Sequence, residues 1–157
     1  IALPFDIEGL EQQILFEDKF EFACQRTHPF ATKRIIEPDE LAQEPLLLLE
    51  EGHCLRGHAL SVCQLHDKRA REPFEATSLH TLVQMVAGGI GVTLLPKLAI
   101  DAGITHGANI QLVPIAGHAS RQIGLVWRAS CPRDVEFELL GDVLREHVEA
   151  GRKPIAT

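Results

Sequence analysis

A short, wholly apolar run, Pro45 to Leu49, constrains the fold more than any other feature. A strand with apolar side chains at every position is buried on both faces, which is typical of a parallel sheet covered by helices. The run ends at an acidic turn containing Gly52, and a helical pattern from about Cys54 to Leu65 follows it. Junctions of this strand, turn and helix order direct the N-terminus of the helix toward a ligand.

Strand and helix patterns alternate along the rest of the chain. Strand patterns cover 15–24, 74–77, 90–95, 111–114 and 122–127, and helix patterns begin near Glu37, Ser78, Pro96 and Asp134. From Leu79 to Val86 the apolar spacing is helical, Ser78 can cap this helix and Gly88 with Gly89 can end it. The last helix carries an apolar stripe of Phe137, Leu140, Val143, Leu144 and Val148. This alternation predicts an α/β fold with a mostly parallel sheet.

Charge and hydropathy exclude several functions. The net charge of −7 over 157 residues has the wrong sign for displacing counterions from phosphates, so we do not expect this stretch itself to bind DNA. No apolar run approaches the roughly 18 residues that a membrane span needs. Ile1 is neither an initiator Met nor part of a secretory signal, so we expect the interior of a longer protein. Four sparse cysteines predict a reducing cytoplasm rather than a disulfide scaffold.

Two cysteines form the most informative constellation. Cys54 falls in the first turn of the predicted helix, where the macrodipole, Arg56 and a protonated His53 favour a thiolate. Cys63 lies nine residues further on, which places it half a turn out of phase and about 13 Å away on a straight helix. Because a disulfide requires Cα atoms about 4.4 to 6.8 Å apart, joining the two cysteines must break that helix.

Two other interpretations compete with this one. Free cysteines are often simply small core residues, and Cys63 fits that description better than Cys54. A zinc site could use Cys54 with His58 and Cys63 with His66, but these pairs point to opposite sides of a straight helix and cannot share one ion. The residues therefore predict no metal and no cofactor.

The same residues carry a resemblance to a known family. The matching stretches are Leu47 to Arg56 with Cys63, Ala76 to Leu79, Met85 to Pro96, and Ile123 to Val126. The chain resembles the regulatory domain of LysR-type transcriptional regulators, and the GHCLR segment followed by Cys63 resembles the hydrogen-peroxide sensors among them. Gly57 and His58 stand where familiar members carry Asp and Gln. The departure affects the local polar contacts that tune the reactivity of the cysteine.

The resemblance implies a redox-sensing domain rather than an enzyme. Cys54 would be oxidised by hydrogen peroxide and Cys63 would resolve it as a disulfide, with His53, Arg56 and Arg121 as supporting residues. The expected partners are a thiol reductant and further copies in a homodimer or homotetramer. DNA would be bound only through an N-terminal helix-turn-helix domain outside this chain.

The resemblance also implies a layout. The family has a periplasmic-binding-protein-like fold, and this chain would form one Rossmann-like lobe and part of a second. By this resemblance, residues 17–122 belong to lobe II. Residues 1–16 and 123–157 would belong to an incomplete lobe I. The alternative function is a LysR-type domain that binds a small effector in the cleft between lobes, for which Thr77, Ser78 and Thr93 could supply hydroxyl groups.

Overall fold

The computed structural model describes residues 1–3, 8–63 and 75–152. The chain divides into two compact units. The central unit is Lys19–Ser120, and the terminal unit combines Ile1–Asp18 with Arg121–Thr157. Assigning these units to the two lobes of the family stays a prediction.

The central unit is built around the second half of strand β2 (Leu10–Gln25), in which Phe20 and Phe22 alternate with polar residues and are buried. This half pairs antiparallel with β5 (Thr93–Pro96) and with β6 (Ile110–Pro114). The prediction of a mostly parallel sheet is therefore wrong in the main sheet, because apolar periodicity reports burial and carries no information on strand direction. Parallel pairing joins β3 (Leu48–Leu49) to β4 (Glu75–Ala76).

Among the described residues of the central unit, four helices accompany these strands. They are α1 (Pro38–Leu41), α2 (Cys54–Val62), α3 (Leu79–Ala87) and α4 (Lys97–Asp101), and a 3₁₀ turn covers Pro29–Thr32. As predicted, Ser78 caps α3, since its hydroxyl accepts a bond from the Thr81 N–H at 3.2 Å. Gly89 follows the helix with φ +76°, a conformation that L side chains rarely adopt. The core of the unit gathers side chains from β2, β3, β5 and the helices α2 and α3.

The terminal unit contains β1 (Ala2–Leu3), the first half of β2, β7 (Ser120–Arg128) and α5 (Asp134–Arg152). Strand β1 pairs antiparallel with β7, and the strand order is β1, β7, β2. Phe137 on α5 stacks on Trp127 with ring centroids 5.7 Å apart. The other described members of the predicted stripe are not buried, and Leu140, Val143 and Leu144 are exposed. Among the described residues, no helix is both long and apolar enough to cross a membrane.

Candidate redox site

Cys54 occupies the first position of α2, and the preceding turn places it there. Strand β3 ends at Leu49, and Gly52 adopts φ +93°, which lets the chain reverse into the helix. His53 is the extended N-cap residue and is exposed. The Cys54 side chain is exposed as well, at the end of the helix where the macrodipole is positive.

Cys63 lies at the other end of α2 and on its buried face. Leu55 and Ala59 are buried at a spacing of four residues, and Cys63 continues this stripe as the C-cap, only 1% exposed. Along the axis the two cysteines are about 13 Å apart. The reduced fold therefore separates the two thiols and gives only Cys54 to solvent.

Burial also changes the acidity of two thiols, those of Cys63 and Cys24. It raises the pKa of Cys63 from 9.0 to about 12, so this sulfur stays protonated at neutral pH. Cys24 is fully buried, and burial together with the charge of Glu44 raises its pKa to about 11. Cys131 is partly exposed and lies in the terminal unit, away from α2 in the sequence.

Arg56 is the third residue of α2, and its side chain is held by two hydrogen bonds to neighbouring strands. Its guanidinium donates to the Leu49 carbonyl at 3.2 Å and to the Glu75 carboxylate at 2.7 Å. The charge of Arg56 and its place in the sequence indicated a functional residue, whereas no sequence pattern indicated Glu75. No local pattern could have revealed this pair, because 19 residues separate the partners and strand pairing of β3 with β4 brings them together.

Arg121 belongs to the terminal unit, whereas Cys54 belongs to the central one. Its guanidinium binds Asp18 through Nε at 3.0 Å and Nη2 at 2.9 Å. Asp18 is 1% exposed, so Arg121 neutralises a buried carboxylate. A role for Arg121 toward peroxide stays a prediction, and Asp18 is a partner that sequence analysis missed.

The two family departures lie on α2. A side chain at Gly57 would meet nothing within 4 Å of its Cβ, so the fold leaves room for the Asp of familiar members. His58 is half-buried, with its ring 6.5 Å from that of Phe20. The helix therefore keeps its geometry without the familiar polar pair.

The three hydroxyls considered for an effector are placed differently. Thr93 is buried and donates to the Leu47 carbonyl at 2.9 Å, while Thr77 is exposed and Ser78 caps α3. Thr93 lines a cavity of about 10 Å³ beside Arg56, which is room for a single water molecule. A groove of about 270 Å³ lies elsewhere in the central unit, between His28, Pro45 and Val92, and none of the three hydroxyls lines it.

Three of the four residues considered for a zinc site, Cys54, His58 and Cys63, are among the described residues. Within residues 1–3, 8–63 and 75–152, no three His, Cys, Asp or Glu side chains are grouped so as to hold a metal ion. Cys54 and His58 both lie on α2, but His66 lies outside the described residues. The chemistry that this geometry offers is that of one exposed and one buried thiol.

The chain is similar to a known family of domains and to several known proteins. The model of the LysR substrate binding domain matches residues 1–149. The HTH-type transcriptional regulator EstR of Acinetobacter baylyi is 37% identical over 92% of this chain and 48% of its own length. A probable hydrogen peroxide-inducible genes activator of Mycobacterium avium is 39% identical over 96% of this chain and 49% of its own length.

A solved structure is similar as well. The reduced form of the OxyR2 regulatory domain from Vibrio vulnificus superposes with a TM-score of 0.80 at 45% identity, covering 92% of this chain and 68% of that one. The chain spans about half the length of the curated relatives it matches.

Proposed function

The chain belongs to the LysR substrate binding domain family, among the OxyR regulatory domains, and on this premise we propose that it senses hydrogen peroxide for a transcription activator of antioxidant genes. One observation carries the proposal. An exposed thiol at the N-terminus of α2 and a buried thiol at its other end cannot join while the helix is intact. Oxidation of this pair thus requires a change of shape, which is what a sensor needs.

The chemistry proceeds in two steps. The Cys54 thiolate attacks one peroxide oxygen, the O–O bond breaks, and with one proton water leaves, so that a sulfenic acid remains. The Cys63 thiol then condenses with it, forming the S–S bond and releasing a second water. The two sulfurs lose two electrons in total and the peroxide gains them. A thiol reductant returns two electrons and two protons to restore the helix.

The residues around Cys54 support the first step. Cys54 is the first residue of α2, where the helix macrodipole is positive, and His53 and Arg56 lie within two positions of it in the sequence. Arg121 is proposed as a further neighbour of peroxide. The domain consumes one peroxide molecule and must then be reduced before it can react again. It therefore acts stoichiometrically and not as an enzyme.

The wider assembly is also a proposal. Relatives named as transcription regulators are about twice as long as this chain. We propose that the whole protein binds DNA through an N-terminal helix-turn-helix, acts in the reducing cytoplasm and pairs its regulatory domains as dimers or tetramers. We propose that contacts between copies lie near Phe74 and His80. His80 is exposed on α3, and Phe74 lies outside the described residues.

A small effector in place of thiol chemistry is the second candidate. The relatives do not all carry a name that refers to peroxide, because EstR, named as an HTH-type transcriptional regulator, is 37% identical to this chain and the peroxide-inducible activator of Mycobacterium avium is 39% identical. Against this candidate, the hydroxyl groups of Thr93 and Ser78 already form hydrogen bonds within the fold.

Intact mass with thiol alkylation, before and after equimolar peroxide, separates the candidates. We expect wild-type protein to lose the mass of two hydrogen atoms and to yield one peptide crosslink between Cys54 and Cys63. An unchanged mass would contradict the sensor proposal and favour the effector. Tightly bound zinc in the untreated protein would favour the metal interpretation instead.

A further inference from the structure

The Arg56–Glu75 ion pair connects a moving segment to a fixed one. Arg56 is in the segment that must change shape in the proposed switch, and Glu75 is in a segment that is held in place. Arg56 lies between the two cysteines, so its backbone is inside the ring that a Cys54–Cys63 disulfide would close. Glu75 lies outside that ring, and β4 fixes it by parallel pairing with β3, where Leu48 is opposite Glu75. An ion pair at this boundary contributes only while α2 keeps its reduced geometry.

The pair is also placed to be effective. The Arg56 side chain is only 11% exposed and that of Glu75 is 37% exposed, with 2.7 Å between the bonded atoms. The same Arg56 Nη1 donates to the Leu49 carbonyl, at the end of the strand that leads into the Cys54 turn. One guanidinium thus connects α2 with β3 and β4.

From this geometry we propose that Glu75 is a positioning residue that latches reduced α2 through Arg56 and so shifts the thiol–disulfide equilibrium toward the reduced form. The inference rests on the proposed function. It assigns to Glu75 a role in setting how strong an oxidant is needed to close the disulfide. Removing its charge should make the disulfide easier to form.

Glu75→Gln removes the charge and keeps the side-chain shape. The protein is equilibrated with glutathione buffers, in which one glutathione disulfide and two protein thiols exchange for one protein disulfide and two glutathione molecules. We expect the equilibrium constant for protein disulfide formation to rise about two- to fivefold in this variant, the range of a partly exposed ion pair. The increase should shrink in high salt, which screens the pair.

Two controls separate a latch from a general effect of charge. Glu138→Gln makes the same charge change at an exposed position of α5 in the terminal unit and should leave the constant unchanged. In an Arg56→Gln background, Glu75→Gln should produce no further shift, because the partner is gone. An unchanged constant in Glu75→Gln, an equal shift in Glu138→Gln, or a full shift without Arg56 would each overturn the latch.

A second measurement tests the latch without any disulfide. In fully reduced protein, amide hydrogens of α2 should exchange about two- to fivefold faster in Glu75→Gln than in wild type. Unchanged exchange would contradict the latch. If wild-type protein forms no disulfide, the proposed function is contradicted. If Glu75→Gln nevertheless exchanges faster than wild type, the latch itself is still supported.

Discussion

At the scale of single residues, burial does most to distinguish the cysteines from one another. Cys54 and Cys63 sit at the two ends of one short helix, yet one is exposed and the other is 1% exposed. The thiol that meets an oxidant first is therefore decided by the face of α2 on which it lies. The same burial makes Cys63 a titrating group that is coupled to folding.

Folding stability should fall at high pH because of Cys63. Burial raises its pKa from 9.0 to about 12, so the folded state holds the proton while the unfolded thiol releases it. The contribution of the protonated Cys63 thiol to the free energy of unfolding is fully present below about pH 9. It is lost as the pH rises from about 9 toward about 12. Urea unfolding of reduced protein at pH 8 and 10.5 measures this loss. Cys63→Ala should show a shallower fall over the same interval, and parallel curves would contradict the assignment.

Asp18 should be worth more to stability than any exposed carboxylate. Asp18→Asn leaves the Arg121 guanidinium, 12% exposed, without the charge that neutralises it. Removing one partner of a buried pair costs about 3 kcal/mol. Asp101→Asn is the matched control, since Asp101 pairs with Lys97 at the surface and should cost less than about 0.5 kcal/mol. Equal urea midpoints for the two variants would show that the Asp18 pair contributes nothing special.

At the scale of elements, the sequence predicts local features well and pairing poorly. The bounds of α3, its Ser78 cap and the start of α2 at Cys54 all agree with expectation, because periodicity and caps are properties of neighbouring residues. Antiparallel pairing of β2 and the Arg56–Glu75 contact were not predictable, since they join segments far apart in the chain. The cysteine geometry was predictable because it needs only one helix.

Amide hydrogen exchange across Cys54–Val62 should report the switch directly. In reduced protein the segment is helical and should be protected. After equimolar peroxide it should exchange faster, because about 13 Å must close to under about 7 Å and the helix cannot persist. Cys63→Ser should keep its protection and stop at a sulfenic acid or a higher oxide, and Cys54→Ser should not respond. A crosslink formed without loss of protection would show that the strain-driven mechanism is wrong.

At the scale of the whole molecule, a change in one helix matters only if it reaches the assembly. Helix α3 follows β4, the strand that bears Glu75, after only two residues, Thr77 and Ser78. Its buried face packs in the core through Leu82, Val83 and Val86, and His80 points to solvent. A rearrangement of α2 that releases Glu75 can therefore be transmitted through β4 and two further residues to the exposed face of α3.

We therefore predict that contacts between copies near His80 change on oxidation of the full-length protein. A photo-crosslinking residue in place of His80 should give different crosslinked peptides before and after equimolar peroxide, because the partner surface opposite α3 is exchanged. The same substitution in a Cys54→Ser background is the control, and its pattern should not respond to peroxide. Identical patterns in reduced and oxidised protein with intact Cys54 would mean that the signal leaves α2 by a route that does not pass through α3.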